Sequence, residues 1–230
     1  MRSLKMKMAE KIKIDIVSDV VCPWCVIGYK RLEKAIEEMG LKDQVEIEWQ
    51  AFELNPTMPV EGQELQEHIS QKYGSTIEQG KQSRAQLTQY AADLDFKFDF
   101  FDGMRMPNTR EAHILIDYAL ENGKQTELNL RLISAHFGEH KDISDPQVLA
   151  QELQAVGLNA EEGLERLKDA KAREQIIAKE AYWQKLGVTA VPTMVFNKTT
   201  GITGAQPVDV YKKLITDIMG IQPSSQSNIQ

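Results

Sequence analysis

Residues 14–29 read IDIVSDVVCPWCVIGY, and no other stretch limits the fold as much. The run IKIDIV at 12–17 alternates and is rich in Ile and Val, which predicts a strand. From Pro23 the spacing becomes helical. Ile27, Leu32, Ala35, Ile36 and Met39 fall near one face, and Gly40 follows as a C-terminal cap. Proline suits the first position of a helix, where its missing N–H is no loss. The helix therefore begins directly after Cys22, with two cysteines at the junction of strand and helix.

The rest of the chain completes the pattern. Residues 45–52, VEIEWQAF, predict a second strand, which NPTMP then breaks. From 62 to about 186 the sequence reads as helices separated by cap signals. Ser75 with Glu78, and Asn108 with Glu111, have capping-box spacing. Asp145-Pro146 opens another helix, which Gly157 ends. The irregular segment 93–107 joins two helices and carries Phe96, Phe98, Phe100, Phe101, Met104 and Met106. Its aromatics are expected to pack the helices against the sheet; its methionines also suit an adaptable wall for peptide substrates. Beyond 187 the character changes back. VTAVPTMVFN predicts a strand containing a proline, KTTG a turn, ITGA a short strand and PVDVYKKLITDIMG a closing helix. The order βαβ, helical block, αββα predicts an α/β fold with a mixed sheet. A block of this size is too long for a loop and reads as an inserted helical subdomain. We place the sheet domain at 12–60 and 179–220, the all-helical insertion at 61–178, and flexible termini at 1–11 and 221–230.

Cysteine usage narrows the chemistry. Among 230 residues there are two cysteines, Cys22 and Cys25. A disulfide-built secreted protein would carry more, spread along the chain. A structural zinc site normally takes four ligands, and the four histidines lie scattered downstream. His136 and His140 have metal-pair spacing, but Gly138 lies between them and no third ligand is evident, so no metal is expected. A bridge across two residues would constrain the unfolded chain little. What remains is a reactive pair in a reducing compartment, beside the plainer reading of two small buried hydrophobes.

Net charge is −7, which argues against nucleic-acid and anionic-membrane partners. The basic start, MRSLKMKMAEKIK, lacks the apolar run of a secretory signal, and no stretch is apolar enough to span a bilayer. A cytoplasmic protein is expected.

The local setting gives the two sulfurs different tasks. Cys22 at the helix N-cap faces unpaired N–H groups and the positive end of the dipole, which favours the nucleophilic thiolate. Cys25 lies one turn deeper, within disulfide reach, and is expected to be more covered. Cys22 is thus the exposed attacking thiol and Cys25 the resolving one. Trp24 adds no charge and offers a flat apolar platform at the helix tip. Asp19, three residues before Cys22, reads either as a proton relay to Cys25 or as a loop acid.

The segment SDVVCPWCVIGYKRLEKA at 18–35 resembles the DsbA-like thioredoxin-fold family, specifically its FrnE-type branch. The likeness continues through FELNP, MPNTREAH, ISAHFGEHKDISD, GVTAVPTMVF and ITGAQP, over about residues 12 to 220. It implies a thioredoxin-like fold with a helical insertion, and thiol–disulfide oxidoreductase or isomerase activity needing no cofactor beyond the Cys22–Cys25 disulfide. It also implies a cis bond between Val191 and Pro192, turning the Val191 backbone toward the sulfurs. Pro23, Trp24, Val191, Pro192 and Asp19 then form the active-site shell, with Met106, Asn108, Thr193, Gly204 and Ala205 as substrate-binding positions. Expected partners are disulfide-containing proteins or peptides, with glutathione or a thioredoxin-type system for recycling; glutathione could also serve as co-substrate. A role in oxidative-stress repair fits a reducing cytosol. Two other readings stay open: a glutathione-dependent isomerase or transferase of the kappa or 2-hydroxychromene-2-carboxylate isomerase type, and a non-enzymatic peptide-binding or holdase protein.

Overall fold

The computed structural model describes residues 11–220. The flexible termini expected at 1–11 and 221–230 fall almost wholly outside that range.

Strand β1 (Ile12–Ser18) is buried along nearly its whole length, Asp15 and Ser18 included, although its Ile and Val residues alternate with polar ones. It lies inside a four-stranded sheet ordered β2-β1-β5-β6, with β2 at Val45–Ala51, β5 at Thr193–Phe196 and β6 at Thr200–Thr203. β1 pairs parallel with β2 and antiparallel with β5, so the sheet is mixed. Helix α1 (Pro23–Glu38) makes the crossover between β1 and β2, followed by a short 3₁₀ turn at Lys42–Gln44. Strands β5 and β6 form a hairpin turning at Asn197 and Lys198, both with positive φ. The turn therefore lies one step before the expected KTTG, where two left-handed residues match the strand twist.

Between β2 and β5 the chain is mostly helical: α2 (Leu65–Tyr73), α3 (Ile77–Ala92), α4 (Arg110–Glu121), α5 (Gln125–Gly138), α6 (Pro146–Ala155), α7 (Ala160–Lys168) and α8 (Ala170–Lys185). Helix α9 (Val208–Met219) closes the fold beside α1. Asp145 caps α6 with Pro146 in its first turn, and α5 ends at Gly138, leaving His140 outside any helix. Two local expectations change. The capping box of α3 is built by Thr76 with Gln79, one residue beyond the Ser75–Glu78 pair. No capping box forms with Glu111; Asn108 Oδ1 instead accepts from the Arg110 N–H. A two-stranded ribbon, β3 (Gln63–Glu64) with β4 (Arg105–Met106), was also not expected. Such short pairs carry too few residues for a legible alternation.

The helical block shares its core with the sheet. One cluster joins Ile14, Ile16 and Phe196 to Leu128, Leu132 and Ile133 of α5, and α8 runs unbroken through residue 178. Phe98 and Phe100 pack on Phe137 of α5 and Phe96 packs on Phe98, within the core cluster that the sheet shares. Phe101 stacks on His140 instead.

The outer edge of β2 would expose unpaired backbone groups. Gln125 of α5 covers it: its Oε1 accepts from the Trp49 N–H at 2.8 Å and its Nε2 donates to the Trp49 carbonyl at 2.9 Å. Gln125→Ala would leave both groups buried and unpaired. Urea denaturation is expected to show a loss of about 2–6 kcal/mol, the sum of two such penalties; an unchanged midpoint would contradict this role.

Candidate active site

Cys22 occupies the N-cap of α1 with extended backbone, and Pro23 takes the first helical position. Both cysteines are free thiols. Cys22 is more covered than its expected role suggests: it is 5% exposed and Cys25 is fully buried. The order of exposure still holds, and the cover comes from the loop before β5. There the Cys22 Sγ donates to the Val191 carbonyl at 3.8 Å. The sulfur makes no capping bond to the first helical turn, so its contact is with the opposite wall of the site.

Cys25 is surrounded by the Cys22 sulfur, the Ser18 hydroxyl and the Asp19 backbone N–H. Burial pushes its thiol well above the ordinary range, and the Cys22 sulfur raises it further, while Ser18 and the Asp19 N–H pull it back. The site thus pairs a thiol that is largely covered with a fully buried one whose proton is held firmly. Trp24 is 40% exposed at the helix tip, and its ring lies 5.8 Å from that of Tyr90 on α3. Tyr73, at the end of α2, is close enough to Cys22 for the sulfur to raise its phenol, after the larger effect of desolvation. Sequence reasoning missed Tyr73, which reaches the site only through the packing of α2.

The Val191–Pro192 peptide bond is cis. Behind it the Pro192 carbonyl accepts from the Gly204 N–H at 2.8 Å, and the Ala205 carbonyl accepts from Arg31 of α1. Thr193 is buried, its hydroxyl held by the Ala190 carbonyl and by Thr203. Thr193, Gly204 and Ala205 therefore form the seat of the Pro192 loop. Met106 is buried in the β3–β4 ribbon. Asn108 donates to the Met58 carbonyl and accepts from the Arg110 N–H at the start of α4, so both ends of its side chain are engaged.

Asp19 is buried rather than solvated. Its Oδ2 accepts from the Leu54 N–H at 2.7 Å, and its Oδ1 lies 3.3 Å from His113 Nε2. Burial lowers the affinity of His113 for a proton, but Asp19, then Glu180 and Glu53, more than offset this, and the imidazole is held above its ordinary value. Glu53 also pairs with Arg110 at 2.6 Å, while Glu180 accepts from the Glu53 N–H at 2.6 Å. A buried polar layer from α4 and α8 thus lies beneath the two cysteines. Asp19 was its only member marked in the sequence; His113 carried no local signal.

Gly28, one turn beyond Cys25, lets α1 approach the Pro192 loop. A Cβ there would lie 3.2 Å from Pro192 Cγ and 3.3 Å from Ala205 Cα. Gly28→Ala should therefore gain less than the roughly 1 kcal/mol that the change brings in an open helix. Gly28→Val should lose about 1–3 kcal/mol by overpacking, measured by urea denaturation. A Gly28→Val protein as stable as the wild type would refute the close approach.

Comparison with known proteins agrees with this geometry. The model of the DSBA-like thioredoxin domain matches residues 13–216. An uncharacterized protein of Bacillus subtilis, YwbO, is 31% identical over 209 residues, covering 90% of this chain and 96% of that protein. A crystal structure of a probable DsbA oxidoreductase from Streptomyces coelicolor superposes with a TM-score of 0.86 at 29% identity, covering 94% of this chain and 93% of that one. The cytosolic disulfide reductase DsbM from Pseudomonas aeruginosa, solved with GSH, shares the fold at a TM-score of 0.59 and 16% identity, over 90% of this chain and 98% of its own. With its thioredoxin-like sheet, its helical block and its matched length, the chain belongs to the DSBA-like thioredoxin domain family.

Proposed function

We propose that this protein is a thiol–disulfide oxidoreductase or isomerase of the FrnE-type branch, acting on protein or small-molecule disulfides through Cys22 and Cys25. The observation that carries the reading is the placement of the two thiols. Cys22 meets the Val191 carbonyl across the mouth of the site, while Cys25 is buried one turn below, beside the Cys22 sulfur.

The Cys22 thiolate attacks a substrate disulfide, forming a mixed disulfide and releasing one substrate thiolate. The Cys25 thiolate then attacks the Cys22 sulfur. The Cys22–Cys25 bond forms, the second substrate thiolate leaves, and the substrate is reduced by two electrons. Run backward, the same steps oxidise a dithiol; if a substrate thiol attacks the mixed disulfide first, the substrate is isomerised. Ladder pairing of β5 begins at Thr193, so the Val191 backbone lies beyond the sheet and can pair with an extended substrate segment. Trp24, Tyr73 and Tyr90 offer aromatic surface around that segment.

A cytoplasmic protein recycled by glutathione or a thioredoxin-type system fits this scheme. It draws support from the DsbM neighbour, a cytosolic reductase solved with GSH. No described helix is long and apolar enough to cross a membrane. The likeness to a 2-hydroxychromene-2-carboxylate isomerase, at 16% identity, is one of fold. A glutathione-dependent isomerase has no task for Cys25, whereas the exchange reading needs it.

Insulin reduction and refolding of a scrambled-disulfide substrate test the assignment. Activity is expected to disappear in both Cys22→Ser and Cys25→Ser. Cys25→Ser alone should accumulate mixed disulfides with its substrates. Full activity in both variants would refute the proposal, and a glutathione-dependent isomerisation surviving in Cys25→Ser would favour the isomerase reading.

A further inference from the structure

Resolution by Cys25 requires its thiol to lose a proton in a buried place. The groups that act on it most strongly, the Cys22 sulfur, the Ser18 hydroxyl and the Asp19 N–H, include no base. Something beyond them must take the proton, and the structure holds a candidate directly behind Ser18.

Ser18 ends β1; its buried hydroxyl faces the Cys25 sulfur and has no nitrogen or oxygen partner among the described residues. It opens on a cavity of about 10 Å³, the room of a single water molecule. His113 of α4 and Asn129 of α5 line the same cavity, and the buried Asn129 Nδ2 also lacks a partner. Two orphaned polar atoms and a histidine ring around such a space supply the two to four contacts that hold a buried water. Since His113 Nε2 is engaged by Asp19, Nδ1 is the nitrogen left for the cavity.

We propose that Ser18, one water in this cavity and His113 form the proton store of Cys25, with Asp19 as its counter-charge. This rests on the exchange reading above and assigns the proton path within it. As Cys25 resolves, its proton passes to Ser18 Oγ. The Ser18 proton passes to the water, and a water proton passes to His113 Nδ1. The Cys25 thiolate attacks the Cys22 sulfur, the Cys22–substrate bond breaks, and the substrate thiolate leaves to be protonated by solvent. The imidazolium stays beside the Asp19 carboxylate until the pair is reduced, when the proton returns along the same path. The other charged groups around His113 are Glu53 and Glu180, which favour its proton, Arg110, which pairs with Glu53, and Asp117, which lines the cavity.

The test uses the full-length reduced protein and a nitrothiobenzoate disulfide in stopped flow. The first coloured thiolate reports attack by Cys22, the second reports resolution by Cys25, and the two phases are compared within each trace. In the wild type the second phase should slow on acidification, with a midpoint above the free imidazole value of about 6.5, because only neutral His113 accepts a proton. In Ser18→Ala and His113→Gln the second phase near pH 7 should fall by about a hundredfold relative to the first, a typical share for general base catalysis. The deficit should shrink as pH rises and hydroxide takes over. A second phase unaffected in both variants, or slowed by one factor at every pH, overturns the proton store; the latter is what a merely structural role predicts. If His113→Gln fails to fold, Ser18→Ala and the wild-type midpoint decide. If the wild type releases no second thiolate, the exchange reading itself fails and the proton store falls with it.

Discussion

The approach of the first turn of α1 to the backbone at Val191 and Pro192 is the constraint on which the rest of the structure depends. That contact joins segments about 170 residues apart, and its centre is the pair Cys22 Sγ and Val191 carbonyl. Antiparallel pairing of β1 with β5 brings the loop to the end of β1, where α1 begins. Gly28 removes the side chain that would hold the two apart. Arg31 ties α1 to the Ala205 carbonyl, and Tyr211 of α9 contacts the backbone of Gly204 and Gln206 from behind. These contacts hold the Cys22 sulfur and its opposite wall in one place.

A second consequence is the unequal treatment of the two thiols. Cys22 lies against the Val191 carbonyl, while Cys25 is fully buried beside Asp19, a member of the polar layer. That layer is expensive to bury unless its members satisfy one another. Asp19 does so by holding both the Leu54 N–H and His113, and Glu53 in part, pairing one carboxylate oxygen with Arg110. The helical block supplies His113 and Arg110 on α4, Asn129 on α5 and Glu180 on α8. It is therefore a working wall of the site as well as a cover for the sheet.

Much of this was legible in the sequence, for identifiable reasons. The β1–α1 junction could be read because the change of period and Pro23 are local signals, and Gly40 and Gly157 marked helix ends for the same cause. Signals one residue wide misled where two neighbouring hydroxyls could each accept the capping bond, as when Thr76 rather than Ser75 caps α3. What stayed hidden depends on long-range packing. Nothing local distinguishes His113 from the other histidines, and Asp19 looks like any loop acid until β2 and α4 close over it. The cover over Cys22 was likewise invisible, since it comes from the β5 loop.

The central claim is that Cys22 and Cys25 act as one two-electron couple with divided roles. Equilibrating the protein in glutathione buffers of graded ratio, followed by acid quench, alkylation and mass spectrometry of the intact chain, tests it most directly. The account predicts a single transition from a doubly alkylated dithiol to an unalkylated intramolecular disulfide, with little lasting glutathione adduct. Two thiols that remain alkylatable across the whole range, or a stable adduct on Cys22 with Cys25 still free, would contradict it.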